Sequence, residues 1–297
     1  MARELVTRSG TLKFPLFVPV TTFGSRFPLD PLVRPYLSQI AHAALVSFTF
    51  AEGPPPSLRL PLFLDSGGFA CLQPGATVED DMGLGVLVLA QEGAPPRRIS
   101  PREVLELQER LADVAFTLDF PIPPGTDRME AERRSRLGQE NALWALRNRR
   151  RRDLPLFAGV QGLEVEDYRA AARRLGREPF EGFAIGGMVP RARDLDLLRR
   201  IVAAVRDEVG DRPIHAFGMG QPDTLTELFA AGVDSADSSS YLRLAVEGRL
   251  WGSDAVNPDP SPADRLNLAL CNLAAACSRA MPLATVRTFW SPAVTSR

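Results

Sequence analysis

The stretch LFLDSGGF at 62–69 ends an apolar run on a carboxylate, and two glycines and an aromatic ring follow at once. A strand presents an acid at its carboxyl end in this way. Gly67 and Gly68 allow a sharp turn and a close backbone approach to a ligand, and Phe69 offers a flat face on which a planar ring can stack. Asp65 is therefore the first candidate for acid–base chemistry, although Asp-Ser-Gly-Gly is also ordinary turn chemistry after a strand. Five further apolar runs end on polar or glycine positions of the same kind: Asp119, Gln161, Gly186-Gly187, Gly218 and Asp237.

Elements that could hold these residues together follow from the apolar pattern. Eight short runs read as strands: 17–20, 44–48, 62–64, 115–118, 156–160, 183–185, 214–217 and 233–236. Helical patterns separate several of them, at 101–113, 128–150, 166–175, 194–209 and 222–231, and this alternation predicts parallel strands with crossover helices. Eight such units make an α/β protein, a (β/α)8 TIM barrel, whose active sites are built at the carboxyl ends of the strands. The segment GLGVLVLAQEG at 83–93 predicts an extra hairpin or extended insertion between strands 3 and 4. Pro54–Pro61 reads as a loop, and 263–279 as a helix in a short C-terminal extension. One domain over 1–297 is expected. On the barrel rim, three carboxylates, one amide and free backbone amides would converge around an aromatic ring. Carboxylates with a glutamine match the hydrogen-bonding edge of a guanine-like base.

Composition narrows the classes. A hydrophobic fraction of 45% and a charged fraction of 24% are globular values, and no apolar run is long enough to cross a membrane. The start, MARELVTRSG, lacks the apolar core of a signal peptide, so a cytoplasmic protein is expected. Cys71, Cys271 and Cys277 show no CxxC spacing, and only His42 and His215 accompany them, so neither a metal site nor a cofactor is expected. Of the 35 basic residues only Lys13 is a lysine, and the net charge is −1. The run RNRRRR at 147–152 reads as a helix terminus whose cations complement the dipole, with phosphate contact as the alternative.

These motifs together resemble the tRNA-guanine transglycosylase family, including its DNA-modifying members. The likeness runs through FPLFVPV at 14–20, LDSGGF at 64–69, LDF at 118–120, FAGVQG at 157–162, GFAIGGM at 182–188, FGMGQPDTL at 217–225 and GVDSADSS at 232–239. It implies exchange of a guanine in a polynucleotide for a 7-deazaguanine-type base by breaking and remaking an N-glycosidic bond. Position by position, Asp237 is similar to the family nucleophile and Asp65 to the general acid/base. Asp119 and Gln161 resemble the side chains that bind the base edge, Gly187 the backbone amide on its carbonyl, and Phe69 and Phe217 the rings that sandwich it. Asp237-Ser-Ser-Ser would also serve as a helix N-cap.

The chain departs from the family pattern after Asp237. The Cys-x-Cys-x2-Cys zinc site with its later histidine is missing, so 238–297 is a reduced C-terminal region without a zinc subdomain. Where the family has Pro-Thr-Arg, this chain reads Ser240-Tyr241-Leu242-Arg243 and keeps only the arginine. Three functions stay open. They are base exchange in tRNA or DNA, cleavage or exchange of a free 7-deazaguanine nucleoside or nucleotide, and a non-catalytic partner subunit, against which the presence of both Asp65 and Asp237 argues. The expected partners are the base and a nucleic acid, with no membrane; a homodimer is a possible assembly.

Overall fold

A computed structural model describes residues 3–24, 27–51 and 58–280. Eight parallel strands close a barrel: β1 (Leu16–Thr21), β2 (Ala44–Ser47), β3 (Leu62–Asp65), β4 (Val114–Phe116), β5 (Leu156–Val160), β6 (Gly182–Ile185), β7 (Ile214–Ala216) and β8 (Ser235–Ser238). Each strand pairs with its neighbour in chain order; β8 pairs with β1, and β4 with β5. Around them run α1 (Pro101–Leu111), α2 (Arg128–Asn148), α3 (Val165–Leu175), α4 (Leu195–Val209) and α5 (Pro222–Ala230). The chain then continues through α6 (Ser240–Val246) to α7 (Pro262–Ala280). The TIM barrel expected from the alternation is thus the fold found. Residue 54–57 of the proline-rich loop and 281–297 of the C-terminal region lie outside the described residues.

Strand parity divides the core in two. Leu16, Val18, Leu45, Phe63, Phe116, Phe157 and Ala184 point into the lumen, whereas Phe17, Val46, Leu64, Ala115, Ala158, Val160, Phe183 and Ile185 face the helices. Because side chains alternate along a strand, each lumen position fixes the next two residues on. Phe63 leads to Asp65 on β3, Phe157 to Gly159 and Gln161 at the end of β5, and Ser235 to Asp237 on β8.

Two features differ from the pattern read in the sequence, and the expected insertion between β3 and β4 is found as a sheet. A hairpin of Glu4–Thr7 and Gly10–Lys13 precedes the barrel; its Leu12, with Phe14 just after it, joins the lumen core. Its strands are four residues each, too short for a periodic signal. The segment at 83–93 is the centre of a three-stranded antiparallel sheet, Thr77–Asp81, Leu84–Gln91 and Ala94–Ile99. Buried Asn141 of α2 ties this sheet to the rim: its Nδ2 donates to the Gly85 carbonyl (2.9 Å) and the Leu118 carbonyl (3.1 Å), and its Oδ1 accepts from Gly85 N–H (2.9 Å). Finally, β8 starts two residues later than its apolar run, which puts Asp237 inside the strand and level with Val18 of β1. No described helix is long and apolar enough to cross a membrane.

Candidate active site

Asp65 stands at the end of β3. Its Oδ1 accepts from Gly67 N–H at 2.7 Å and from Phe48 N–H at 3.3 Å, so the turn chemistry read in DSGG is present alongside any other role. Burial pushes its carboxyl up to about 7; hydrogen bonds from Ser47 and Gly67 oppose the rise, and the nearby charge of Asp237 adds to it. Such a group is part acid and part base near neutrality. The close backbone approach at Gly68 is made to the protein itself, since a Cβ there would lie 1.9 Å from the Asp119 carbonyl oxygen.

Asp119 and Gln161 form one unit. The Gln161 Nε2 donates to Asp119 Oδ2 at 2.7 Å, and both side chains are buried. Burial raises the Asp119 carboxyl to about 6 against the lowering effect of that bond. The Gln161 Oε1 is buried with no hydrogen-bond partner among the described residues. A buried amide oxygen left unpaired costs about 1–3 kcal/mol, which is recovered when a ligand donates to it. Gly186 lies flat against this amide: a Cβ would sit 1.8 Å from Gln161 Nε2, so any larger residue would displace it. Behind the loop, Tyr168 Oη donates to the Gly186 carbonyl (2.9 Å) and Arg191 Nη1 to the Gly187 carbonyl (2.6 Å). With both carbonyls held from behind, the Gly187 N–H makes no hydrogen bond among the described residues.

Asp237 completes the rim. Its Oδ1 accepts from Gly218 N–H at 3.0 Å and lies 3.0 Å from His215 Nε2, in the fully buried ring of β7. It caps no helix, because α6 begins only at Ser240. Phe217 is partly buried and packs edge-on against Phe116 and His215, with centroids 5.0 Å and 4.9 Å apart, while Phe69 is 66% exposed in the turn after β3. Arg243 is exposed on α6 and bonds to Ser240 of the same helix (3.3 Å); no described contact brings it to the carboxylates. His215 is the residue that the sequence reading passed over. The available signal was a lone imidazole two positions before Phe217 in an otherwise apolar strand.

The arginine run takes neither of its expected forms throughout. Arg149 is buried and pairs with both oxygens of Glu181 at 2.7 Å, just before β6, at the amino end of the barrel and away from the rim. Arg151 donates to the Glu109 and Ala112 carbonyls. Among the described residues no group of three or more His, Cys, Asp or Glu side chains comes together as a metal site would require.

The family model for queuine tRNA-ribosyltransferase matches residues 2–273. The chain belongs to this family. Among relatives, the tRNA-guanine(15) transglycosylase of Thermococcus kodakarensis is 29% identical over 252 residues, covering 83% of this chain and 41% of the relative. That of Thermococcus onnurineus is 36% identical over 156 residues, covering 51% of this chain and 26% of the relative. The queuine tRNA-ribosyltransferase of Herpetosiphon aurantiacus is 26% identical over 272 residues, covering 84% of this chain and 67% of the relative. The chain thus spans less than half the length of these archaeal relatives.

Proposed function

We propose that the chain is a base-exchange pentosyltransferase that replaces guanine in a polynucleotide, tRNA or DNA, with a guanine or 7-deazaguanine-type base. The observation that carries this reading is the pairing of an acid near its neutral point, Asp65, with a nearby second carboxylate, Asp237, whose Oδ1 is held by two donors. In the first half, Asp237 attacks the sugar anomeric carbon; a C–O bond forms as the N-glycosidic bond breaks, and its electron pair leaves with the base, which takes a proton from neutral Asp65. In the second half, the incoming base gives its ring N–H proton to ionised Asp65, its nitrogen attacks the same carbon, and the C–O bond electrons return to Asp237. Two inversions retain the configuration, as with paired carboxylates in retaining glycosidases. Asp119 and the free Gln161 oxygen accept from ring and amino N–H groups of a guanine-type base, and the Gly187 N–H serves its carbonyl. Phe69 and Phe217 offer stacking faces.

A free nucleoside is the second reading, favoured by Arg98, Arg128 and Arg134, which are already paired with Glu79, Asp167 and Glu130 rather than left for phosphates. Labelled guanine incubated in parallel with tRNA, duplex DNA, single-stranded DNA and guanosine separates the two. Label should enter one polynucleotide with the natural chain and none with Asp237→Asn. Incorporation into guanosine alone would establish the second reading, and near-normal exchange by Asp237→Asn would overturn both.

A further inference from the structure

His215 lies at the centre of the barrel lumen with none of its surface exposed. Three phenylalanines surround the imidazole: Phe63, Phe116 and Phe217, with ring centroids 6.2, 4.8 and 4.9 Å away. Its only polar neighbours among the described residues come from β8: Nδ1 is 2.8 Å from Ser235 Oγ and Nε2 is 3.0 Å from Asp237 Oδ1. The ladder sets this arrangement, because His215 pairs directly with Ser235, and Asp237 is the next lumen position along the same strand. A carboxylate can only accept, so Nε2 carries a hydrogen; Nδ1 is then the acceptor, and the Ser235 hydroxyl donates to it. A neutral imidazole pairs both of its ring nitrogens, the Ser235 hydroxyl and Asp237 Oδ1. With hydrogens on both ring nitrogens, the Ser235 hydroxyl proton would have no acceptor among the described residues.

We infer that His215 is the positioning residue of the nucleophile, and that by saturating Asp237 Oδ1 together with the Gly218 N–H it leaves Oδ2 as the attacking atom. The inference rests on the proposed role of Asp237 and adds to it which oxygen reacts and what holds it. Both recorded hydrogen bonds of the carboxylate end on Oδ1, and Oδ2 has none among the described residues. The geometry serves both halves of the exchange. When Oδ2 bonds to the sugar, Oδ1 becomes the ester carbonyl oxygen and keeps its two donors. When Oδ2 departs, the same donors receive the returning charge.

Three full-length variants test this, each read by kcat, KM for guanine, guanine affinity by calorimetry and thermal unfolding. His215→Phe fills the lumen but donates nothing, and kcat should fall by about 100-fold or more while KM and affinity stay within about threefold, the pattern of a misplaced reacting atom and an intact base site. His215→Gln can reach the same oxygen with its amide N–H and should recover about tenfold over His215→Phe. Ser235→Ala frees the tautomer and should lower kcat by about tenfold. A kcat for His215→Phe within about threefold of the natural chain overturns the inference. If His215→Phe does not fold, His215→Leu, which also donates nothing, takes its place, and a kcat within about threefold of the natural chain overturns the inference equally. Asp237→Asn keeps the two failures apart: if it still turns over, the role of Asp237 falls, whereas an inactive Asp237→Asn with active His215 variants removes only the positioning role.

Discussion

Asp234 and Asp237 stand three residues apart on one strand segment and live in opposite surroundings. Asp234, at the amino end of the barrel, accepts from Arg3 Nη1 (2.6 Å), Arg206 Nη2 (2.7 Å) and Ile214 N–H (2.8 Å). Asp113 and Glu181 share that end and that pattern, held by Arg8 with Leu62 N–H and by Arg149 with Leu156 N–H. At the carboxyl end, Asp65, Asp119 and Asp237 form no ion pair with an arginine or lysine among the described residues, and the basic neighbour of Asp237 is a histidine. The same residue type therefore does two jobs. Where guanidinium groups and strand N–H groups meet a carboxylate, its charge is used to close the barrel. Where arginine is withheld, burial raises Asp65 and Asp119 toward neutral pH.

The widest separation between the two ends should appear on replacing each aspartate of β8 and its approach by alanine. Asp237→Ala should lower base exchange on the order of 10,000-fold or more, with a smaller loss of stability than at Asp234. Asp234→Ala leaves Arg3 and Arg206 facing each other and should lower the unfolding free energy by about 3–5 kcal/mol, with turnover per folded molecule nearly unchanged. Denaturant titration alongside turnover measures both; equal stability losses in the two variants would erase the contrast.

Within the rim, the acid–amide unit should outweigh the stacking ring. Asp119→Ala should weaken guanine binding by about 2–5 kcal/mol, because a donor edge loses its acceptor, and Phe69→Leu by about 1 kcal/mol. The Asp119 carboxyl is raised to about 6, so it is protonated below that pH and cannot accept from two N–H groups; guanine affinity should fall as pH drops through about 6. Calorimetry at pH 5 and 7.5 with guanine and adenine checks the sign, and a pH-independent affinity equal for both bases would remove Asp119 from the pocket.

The smallest effect concerns stability. The folded-state value of Asp119, about 6, lies above its ordinary 3.8. Its stabilising contribution is therefore present below pH 4 and is lost as pH rises through 6, where the folded chain must bury a charge. Asp119→Asn cannot ionise and should stabilise the chain at pH 8 by on the order of 1–2 kcal/mol, with no gain at pH 4. For Asp234, which is held by two arginines, the matching Asn variant should destabilise at pH 8. Thermal melts of both variants at the two pH values show whether the ends differ in sign.

Much of this was determined by the sequence alone. Eight apolar runs separated by helical patterns suffice for the barrel, because strand burial between lumen and helices requires continuous apolar residues. The residue that ends each run lies at the carboxyl rim by topology. The family motifs lie in the same runs, so Asp65, Asp119, Gln161 and Asp237 stand out from the sequence as candidates. Apolarity could not mark the start of β8, since Ser235 and Asp237 are polar lumen residues satisfied by a histidine from β7. Nor could local pattern distinguish Asp234 from Asp237, or show that Arg149 of the basic run is buried against Glu181. Those outcomes depend on partners from 20 to 231 residues away in the chain. Whether a carboxylate meets a guanidinium, an imidazole or an open pocket is set by which strand ends the closed barrel brings together, and only the tertiary structure decides it.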